Sequence, residues 1–182
     1  MEVEKLEIEG LLIIRPTVYE DDRGYFFEAF NAAKFKEAGL EVEFVQDNLS
    51  KSSRNVLRGL HFQNPPFAQG KLVSVIRGSV LDVAVDIRKN SPTYGQHYSI
   101  VLSEKNKIQF YLPPGFAHGF KTLEDNTVFS YKCTEGYNKD SEGSIKWNDK
   151  QLAIDWDTEK PIISEKDQIA PSFQELNSQF ID

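Results

Sequence analysis

Short segments in which apolar and polar residues alternate follow one another along most of the chain, and this pattern predicts β-strands. Turn residues separate the segments at short, regular intervals, which is typical of an all-β sandwich or barrel. A glycine at position 78 between two such segments predicts a tight hairpin. The predicted strands cover residues 6–14 (with a break at Gly10), 25–30, 42–49, 56–62, 71–77, 79–87, 96–102, 108–112, 116–123 and 127–134.

Helical patterns are few and short. Asn31 is a good N-cap for a helix over residues 32–38. Ser172, with a glutamate three positions later, fits the capping box of a terminal helix over residues 172–180. Residues 135–144 are polar and contain glycine, which predicts a loop. The expected architecture is therefore a β-barrel with a few small helices at its periphery.

Composition limits the classes of function. A length of 182 residues without repeats or linkers suits one domain over residues 1–182. The net charge of −7 argues against a general nucleic-acid or anionic-membrane binder, since both need a cationic surface. A small anionic ligand held by a few Arg and Lys side chains stays possible. With one cysteine, Cys133, no apolar run long enough to span a bilayer and no basic, apolar N-terminal signal, a cytoplasmic location is expected.

The segment from Arg58 to Lys71 contains the most suggestive chemistry. His61 can take up a proton near neutral pH, and a nearby lysine can stabilise an oxygen on which negative charge develops. Arg58 and His61 are three positions apart, so strict strand alternation would place them on opposite faces. Both can reach one ligand if the strand bulges, as it could at Gly59, or if the ligand wraps around the rim of the barrel.

Residues 113–118 supply a second motif, Pro-Pro-Gly-Phe-Ala-His, which matches the second sequence signature of the cupin superfamily of jelly-roll barrels. Many cupins bind a metal through a His-x-His pair, a Glu and this last His. The three histidines of this chain, His61, His97 and His118, contain no His-x-His pair. The motif therefore predicts a cupin-like barrel without the metal.

Ten segments, in order and at compatible spacing, carry a more specific likeness. They are residues 22–28, 46–48, 58–61, 69–73, 82–88, 91–93, 115–120, 131, 147–149 and 164–167. On these segments the chain resembles the dTDP-4-dehydrorhamnose 3,5-epimerase family.

The resemblance implies a homodimeric enzyme that inverts carbons 3 and 5 of dTDP-4-keto-6-deoxy-D-glucose. The product would be dTDP-4-keto-L-rhamnose, in dTDP-L-rhamnose biosynthesis. Hydrogens beside a ketone are acidic because the carbanion delocalises onto oxygen as an enolate. Such a reaction needs a base, an acid on the opposite face and a cation at the oxygen, and neither a cofactor nor a metal is expected.

Four residues match the family's catalytic positions. His61 matches the general base and Asp167 the carboxylate that orients it, while Lys71 matches the cation at the enolate oxygen. Tyr131 matches the proton donor on the opposite face. Further positions match contacts to the nucleotide, the diphosphate or the sugar, among them a Tyr137 that stacks on the thymine. These substrate-binding candidates are Arg23, Phe26, Glu28, Gln46, Asn48, Arg58, His118, Tyr137, Glu142 and Lys166.

Three other functions compete with this one. A relative that inverts a single carbon, or a ketoisomerase, often differs at the acid position, so Tyr131 favours the double epimerase. A non-catalytic cupin that binds sugar nucleotides is disfavoured because all four catalytic residues are retained. A metal-dependent cupin oxygenase is disfavoured by the missing His-x-His pair. The residues leave open the nucleotide base, the exact deoxysugar and the order of inversion.

Overall fold

Antiparallel strands are the main regular elements of the structure, a computed structural model that describes residues 1–181. Two short helices, α1 (Ala32–Glu37) and α2 (Glu165–Gln168), and two single 3-10 turns accompany the strands. The strands are β1 (Glu2–Lys5), β2 (Leu12–Arg15), β3 (Val18–Asp21), β4 (Gly24–Phe27), β5 (Gln46–Ser52), β6 (Leu57–Gln63), β7 (Lys71–Arg77), β8 (Ser79–Asp86), β9 (His97–Ser103), β10 (Gln109–Leu112), β11 (Phe116–Thr122), β12 (Thr127–Cys133) and β13 (Glu142–Ser144).

Two sheets enclose the main core. The six-stranded sheet has the order β1-β2-β10-β7-β12-β5, and the five-stranded sheet has the order β13-β6-β11-β8-β9. Apolar side chains from both sheets, such as Val73, Phe110, Phe120 and Phe129, pack together between them. A second apolar cluster covers the other face of the five-stranded sheet, where the C-terminal segment packs. The prediction of an all-β, cupin-like jelly-roll barrel is confirmed.

The first helix follows its prediction. Asn31 caps α1, because its side-chain oxygen accepts hydrogen bonds from the backbone N–H groups of Ala33 and Lys34. Phe35 is the buried residue of the helix and packs against the outer face of the six-stranded sheet. Its apolar contact, rather than the six-residue length, anchors the helix.

The hairpin predicted at Gly78 is wrong. The strands on either side, β7 and β8, belong to different sheets and do not pair. Gly78 has a positive φ of 79°, and a Cβ there would lie 2.5 Å from Thr127 Oγ1. The glycine is therefore at a corner where the chain crosses from one sheet to the other, a site with the same local turn signal as a hairpin.

The predicted terminal helix over residues 172–180 is also mostly absent. The capping box forms, but only one 3-10 turn, Phe173–Glu175, follows it. The rest of the segment runs along the end of β8. There the hydroxyl of Ser178 donates to the carbonyl of Ile87 at 2.6 Å, and Phe180 is buried. Tertiary contacts override the helical pattern here.

The predicted loop over residues 135–144 contains regular structure. A 3-10 turn, Lys139–Ser141, leads into β13, which pairs with β6 at the edge of the five-stranded sheet. The polar pattern concealed this strand because it is only three residues long and partly buried. The strand brings Glu142 beside Gln63, the last residue of β6.

The hairpin of β3 and β4 belongs to neither large sheet. Its side chains include several large aromatic rings that are exposed: Tyr19, Tyr25 and Phe26, the last at 69% of its full area. A patch of this kind usually marks an interaction surface. Among residues 1–181, no helix is long and apolar enough to cross a membrane.

Candidate active site

A cavity of about 480 Å³ opens at one end of the space between the two sheets. A smaller depression of about 130 Å³ adjoins it and shares the walls formed by His61, Lys71 and Tyr131. Candidate residues that line one or both are Gln46, Asn48, Arg58, His61, Lys71, His118, Tyr131, Tyr137, Glu142, Lys166 and Asp167. The two depressions together form a cleft with three candidate catalytic side chains in its shared wall.

A bulge in β6 brings Arg58 and His61 to the same cavity. His61 pairs with His118 on β11, and Arg58 pairs with Phe120, so β6 has one residue more than β11 between the two pairs. Gly59 within the bulge has a φ of 129°, and a Cβ there would lie 2.5 Å from the Cα of Gly119. The predicted bulge is confirmed, and only glycine fits it without displacing β11.

His61 and Asp167 form a close pair. The Nε2 of His61 lies 2.6 Å from Asp167 Oδ1, and the aspartate side chain is 3% exposed. Asp167 lies on α2, where Ser164 caps the helix by accepting from the backbone N–H of Asp167. Burial acts to raise the pKa of Asp167, but the hydrogen bond and charge of His61 outweigh it and hold that pKa below its usual value. An ionised carboxylate therefore holds one ring nitrogen and leaves Nδ1 for proton transfer.

Lys71 begins β7 and contributes its side chain to both depressions. Burial lowers the pKa of its ammonium group, and the charges of Cys133, Asp82 and Glu142 oppose that shift only in part. No carboxylate in the described part of the chain forms an ion pair with it. The ammonium hydrogens thus remain available for an oxygen in the cleft.

Tyr131 lies on β12, on the same strand face as Phe129 and Cys133. Its β5 neighbour in the sheet is Asn48, and its ring packs near that of Phe129. Burial raises the pKa of its hydroxyl, while the charge of Arg58 lowers it. The phenol consequently keeps its proton at neutral pH and can donate it into the cleft.

Asp82 was missed by the sequence analysis as a site residue. It lies on β8, is fully buried, and its two carboxylate oxygens are 2.9 and 3.1 Å from Nε2 of His118. An acidic residue within the apolar run of residues 80–87 was the available signal, because a buried acid needs a partner. His118 pairs directly with His61 across two strands, so each of the two neighbouring imidazoles has its own buried carboxylate.

The amide side chains of Gln46 and Asn48 form part of a connected network. Gln46 donates to Asn48 and accepts from the backbone N–H of Tyr137 at 3.0 Å. Glu142 forms an ion pair with Lys166 and accepts from the hydroxyl of Tyr137. Burial acts to raise the pKa of Glu142, but the ion pair with Lys166 and the hydrogen bond from Tyr137 outweigh it. The pKa of Glu142 is therefore below its usual value. These binding candidates therefore meet at one side of the cleft.

Three binding candidates lie elsewhere. Arg23 is at the tip of the β3–β4 hairpin, largely exposed and paired with Asp21. Phe26 is on the same hairpin, and Glu28 is bound to Lys34 at 2.6 Å in a separate surface depression. None of the three lines the cleft of its own chain.

The donor set does not fit a cupin metal. His61 and His118 face each other, but the Nε2 atom of each already bonds to a buried carboxylate. Within residues 1–181, His, Cys, Asp and Glu side chains form no group of three or more that could hold a metal ion. The residues are arranged as two imidazole–carboxylate pairs instead.

Comparison with known proteins identifies the family. Residues 5–175 match the family model for dTDP-4-dehydrorhamnose 3,5-epimerase. The chain belongs to the dTDP-4-dehydrorhamnose 3,5-epimerase family. A family member from Methanothermobacter thermautotrophicus, named dTDP-4-dehydrorhamnose 3,5-epimerase, is 55% identical over 166 residues, which cover 90% of this chain and 89% of that one.

Solved structures of this epimerase family have the same fold. The dTDP-4-dehydrorhamnose 3,5-epimerase of Elizabethkingia anophelis is 56% identical, with a TM-score of 0.92 and coverage of 97% of this chain and 98% of that one. A dTDP-6-deoxy-D-glucose-3,5-epimerase from Legionella pneumophila, solved in complex with dTDP-4-keto-L-rhamnose, is 48% identical. Its TM-score is 0.93, over 97% of this chain and 94% of that one.

Proposed function

We propose that this chain is a dTDP-4-dehydrorhamnose 3,5-epimerase that converts dTDP-4-keto-6-deoxy-D-glucose into dTDP-4-keto-L-rhamnose. The observation that carries the proposal is the cleft wall shared by His61, Lys71 and Tyr131, with the Asp167 carboxylate 2.6 Å behind the histidine. A base, an acid and a cation in one cleft are the groups that enolate chemistry needs. The membership in the family supports the same activity.

In the proposed reaction, the His61 imidazole removes the proton from the carbon beside the ketone. The C–H electron pair forms a C=C bond, and the carbonyl π pair moves to oxygen, giving an enolate. Lys71 stabilises this oxyanion, and Asp167 stabilises the imidazolium. Tyr131 then protonates the carbon from the other face. The imidazolium returns its proton to the phenolate by way of solvent, and the same sequence inverts the second carbon.

This chemistry balances without a redox partner, because each inversion removes one proton and adds one. We therefore propose that the enzyme works without a cofactor. Arg58 would hold the diphosphate, Lys166 would make a further substrate contact, and Tyr137 would stack on the thymine. A cytoplasmic location is part of the proposal and is supported by the free, buried thiol of Cys133, which suits a reducing compartment.

We also propose that the active enzyme is a homodimer in which the β3–β4 hairpin of each copy reaches the cleft of the other. The exposed aromatic rings of the hairpin support this, since an apolar surface of that kind is stabilised by burial. Arg23, Phe26 and Glu28 would then complete the nucleotide site of the partner copy. The net charge of −7 argues against nucleic acid as a competing partner.

Solvent deuterium incorporation tests the activity directly. The chain is incubated in D₂O with dTDP-4-keto-6-deoxy-D-glucose, and carbons 3 and 5 are followed by NMR. Exchange with inversion at both carbons is the expected result. Exchange at one carbon would assign the chain to a single-carbon relative. Binding of the sugar nucleotide without exchange would contradict the epimerase and leave a binding protein.

A further inference from the structure

The side chain of Arg58 is exposed, but its guanidinium is anchored by hydrogen bonds to a buried serine, Ser52. Its Nη2 donates to the hydroxyl of Ser52 at 3.1 Å, and its Nε donates to the same oxygen at a longer 3.4 Å. Ser52 is the last residue of β5 and is 7% exposed. Because β5 and β6 belong to different sheets, this contact bridges the two sheets beside the cleft.

The anchor determines which part of the guanidinium faces the cleft. A guanidinium has five N–H donors in a rigid planar fork. The Ser52 oxygen engages the edge formed by Nε and Nη2, so the Nη1 donors and the second Nη2 hydrogen stay free. An exposed arginine otherwise samples many rotamers, and holding it in one lowers the entropy lost when it binds an anion.

We infer that Ser52 is a positioning residue that holds Arg58 ready for the diphosphate of the substrate. This inference rests on the proposed function, in which Arg58 binds that diphosphate. Ser52 would act through the arginine and would not itself touch the ligand. The serine also holds the guanidinium near Tyr131, where its positive charge offsets part of the rise in pKa that burial causes.

Ser79 provides a matched control. It is also 7% exposed, and its hydroxyl makes a single side-chain hydrogen bond, to Glu124 at 2.6 Å. It lies at the corner after Gly78 and does not line the cleft. Ser79→Ala therefore removes a buried hydroxyl and its hydrogen bond without affecting Arg58.

The test measures the affinity for dTDP by calorimetry and the values of kcat and KM for wild type, Ser52→Ala, Ser79→Ala, Arg58→Ala and the Ser52→Ala/Arg58→Ala double variant. We expect Ser52→Ala to weaken dTDP binding and raise KM about three- to tenfold, with a smaller change in kcat. Ser79→Ala should bind dTDP like wild type. In the Arg58→Ala background, the serine substitution should have no further effect, because a residue that acts through another is not additive with it. Ser52→Thr, which keeps the oxygen, should restore most of the affinity.

Several results would overturn the inference. One is wild-type dTDP affinity in Ser52→Ala, and another is an equal loss in Ser79→Ala, which would indicate a general effect on stability. A full additional loss in the double variant would mean that Ser52 acts independently of Arg58. Equal weakening of thymidine, which lacks the diphosphate, would also contradict it.

Failure of the proposed function is distinguishable from failure of this inference. If wild type neither binds dTDP nor exchanges deuterium, the proposed function fails. The mobility of the Arg58 guanidinium is then measured by NMR relaxation of its Nε–H group. This mobility should increase in Ser52→Ala and stay unchanged in Ser79→Ala. Unchanged mobility in Ser52→Ala would refute the positioning role.

Discussion

At the scale of single residues, the chemistry of the cleft depends on which of its side chains carry a proton. Asp167 stays ionised beside His61, Lys71 is a cation with a lowered pKa, and Tyr131 is a phenol with a raised pKa. The hydrogen-bonded imidazole lowers the pKa of Asp167. Burial disfavours the charged form of the other two groups, so it lowers the pKa of Lys71 and raises the pKa of Tyr131. Each shift makes a specific prediction about activity.

Asp167→Asn should lower the rate of deuterium exchange about a hundredfold or more, because the neutral amide no longer stabilises the imidazolium. The measurement is the exchange rate at carbons 3 and 5, with the melting temperature followed in parallel. Ser164→Ala is the control, since it removes the cap of α2 but keeps the carboxylate. A variant that exchanges deuterium at the wild-type rate would remove Asp167 from the mechanism.

The lowered pKa of Lys71 predicts where activity declines at high pH. As pH rises, the ammonium loses its proton below the usual lysine value of 10.5, and the cation at the enolate oxygen disappears. The alkaline limb of kcat/KM should therefore lie below 10.5 in wild type and move upward in Lys71→Arg, whose guanidinium stays charged. Profiles of both proteins and of Tyr131→Phe provide the test. A limb unchanged in Lys71→Arg but absent in Tyr131→Phe would assign it to the tyrosine.

The sequence indicates some of these residues better than others. His61 and Lys71 could be singled out because a histidine can take up a proton near neutral pH and a nearby lysine can stabilise a negative oxygen. The pairing of His61 with Asp167 spans 106 positions, so only the resemblance to the family joined them. Asp82 was missed because an acid within an otherwise apolar strand looks like an exception to the pattern. Ser52 was missed because its role depends on the path of Arg58 across two sheets.

At the scale of elements, the β6 bulge decides whether the site exists. It moves Arg58 and His61, which a regular strand would separate, to one side of the sheet. The bulge depends on the close approach of Gly59 to Gly119 on β11. A side chain at position 59 would have to displace the neighbouring strand.

Gly59→Ala should lower the free energy of unfolding by about 3 kcal/mol, from backbone strain and the clash together. Gly24 provides the control, because its φ of 124° is similar but a Cβ there would have nothing within 4 Å. Denaturant unfolding of both variants separates the two causes, and Gly24→Ala should show the strain alone. Equal losses in the two variants would mean that the contact with Gly119 costs nothing.

Local patterns located most strands and failed at their connections. The alternation of side chains predicted β6, β7, β8, β11 and β12 closely. Gly78 looked like a hairpin because a sheet-crossing corner and a hairpin both need a glycine with positive φ. The choice between them depends on which strands pair, and that is a property of the whole barrel.

At the scale of the whole molecule, the exposed β3–β4 hairpin lies apart from the cleft of its own chain. The chain places Arg23 and Phe26 outside its own cleft, while the residues for proton transfer stay inside it. A site built from two copies would explain both facts. In such a site, a variant of a residue inside the cleft and a variant of a hairpin residue would each be complemented by the intact residue of the other copy.

Mixing His61→Ala with Arg23→Ala should restore activity if sites are shared. Each variant alone should be weak, but a mixed dimer would contain one site with both residues intact. Random exchange of subunits makes half of the dimers mixed, so about a quarter of the wild-type activity should return. Activity assays after co-refolding, with sedimentation to measure mass, provide the test. No recovery in dimers that are shown to be mixed would place both residues in one copy's site.

The long separation between His61 and Asp167 has a consequence for synthesis. A ribosome finishes every strand of both large sheets before it adds α2. Domains can begin to fold while synthesis continues, so a nascent barrel could bind its ligand while its base still lacks a carboxylate. The emergence of α2 would then switch the chemistry on, and a nascent chain that ends before α2 would bind the ligand without catalysing the reaction.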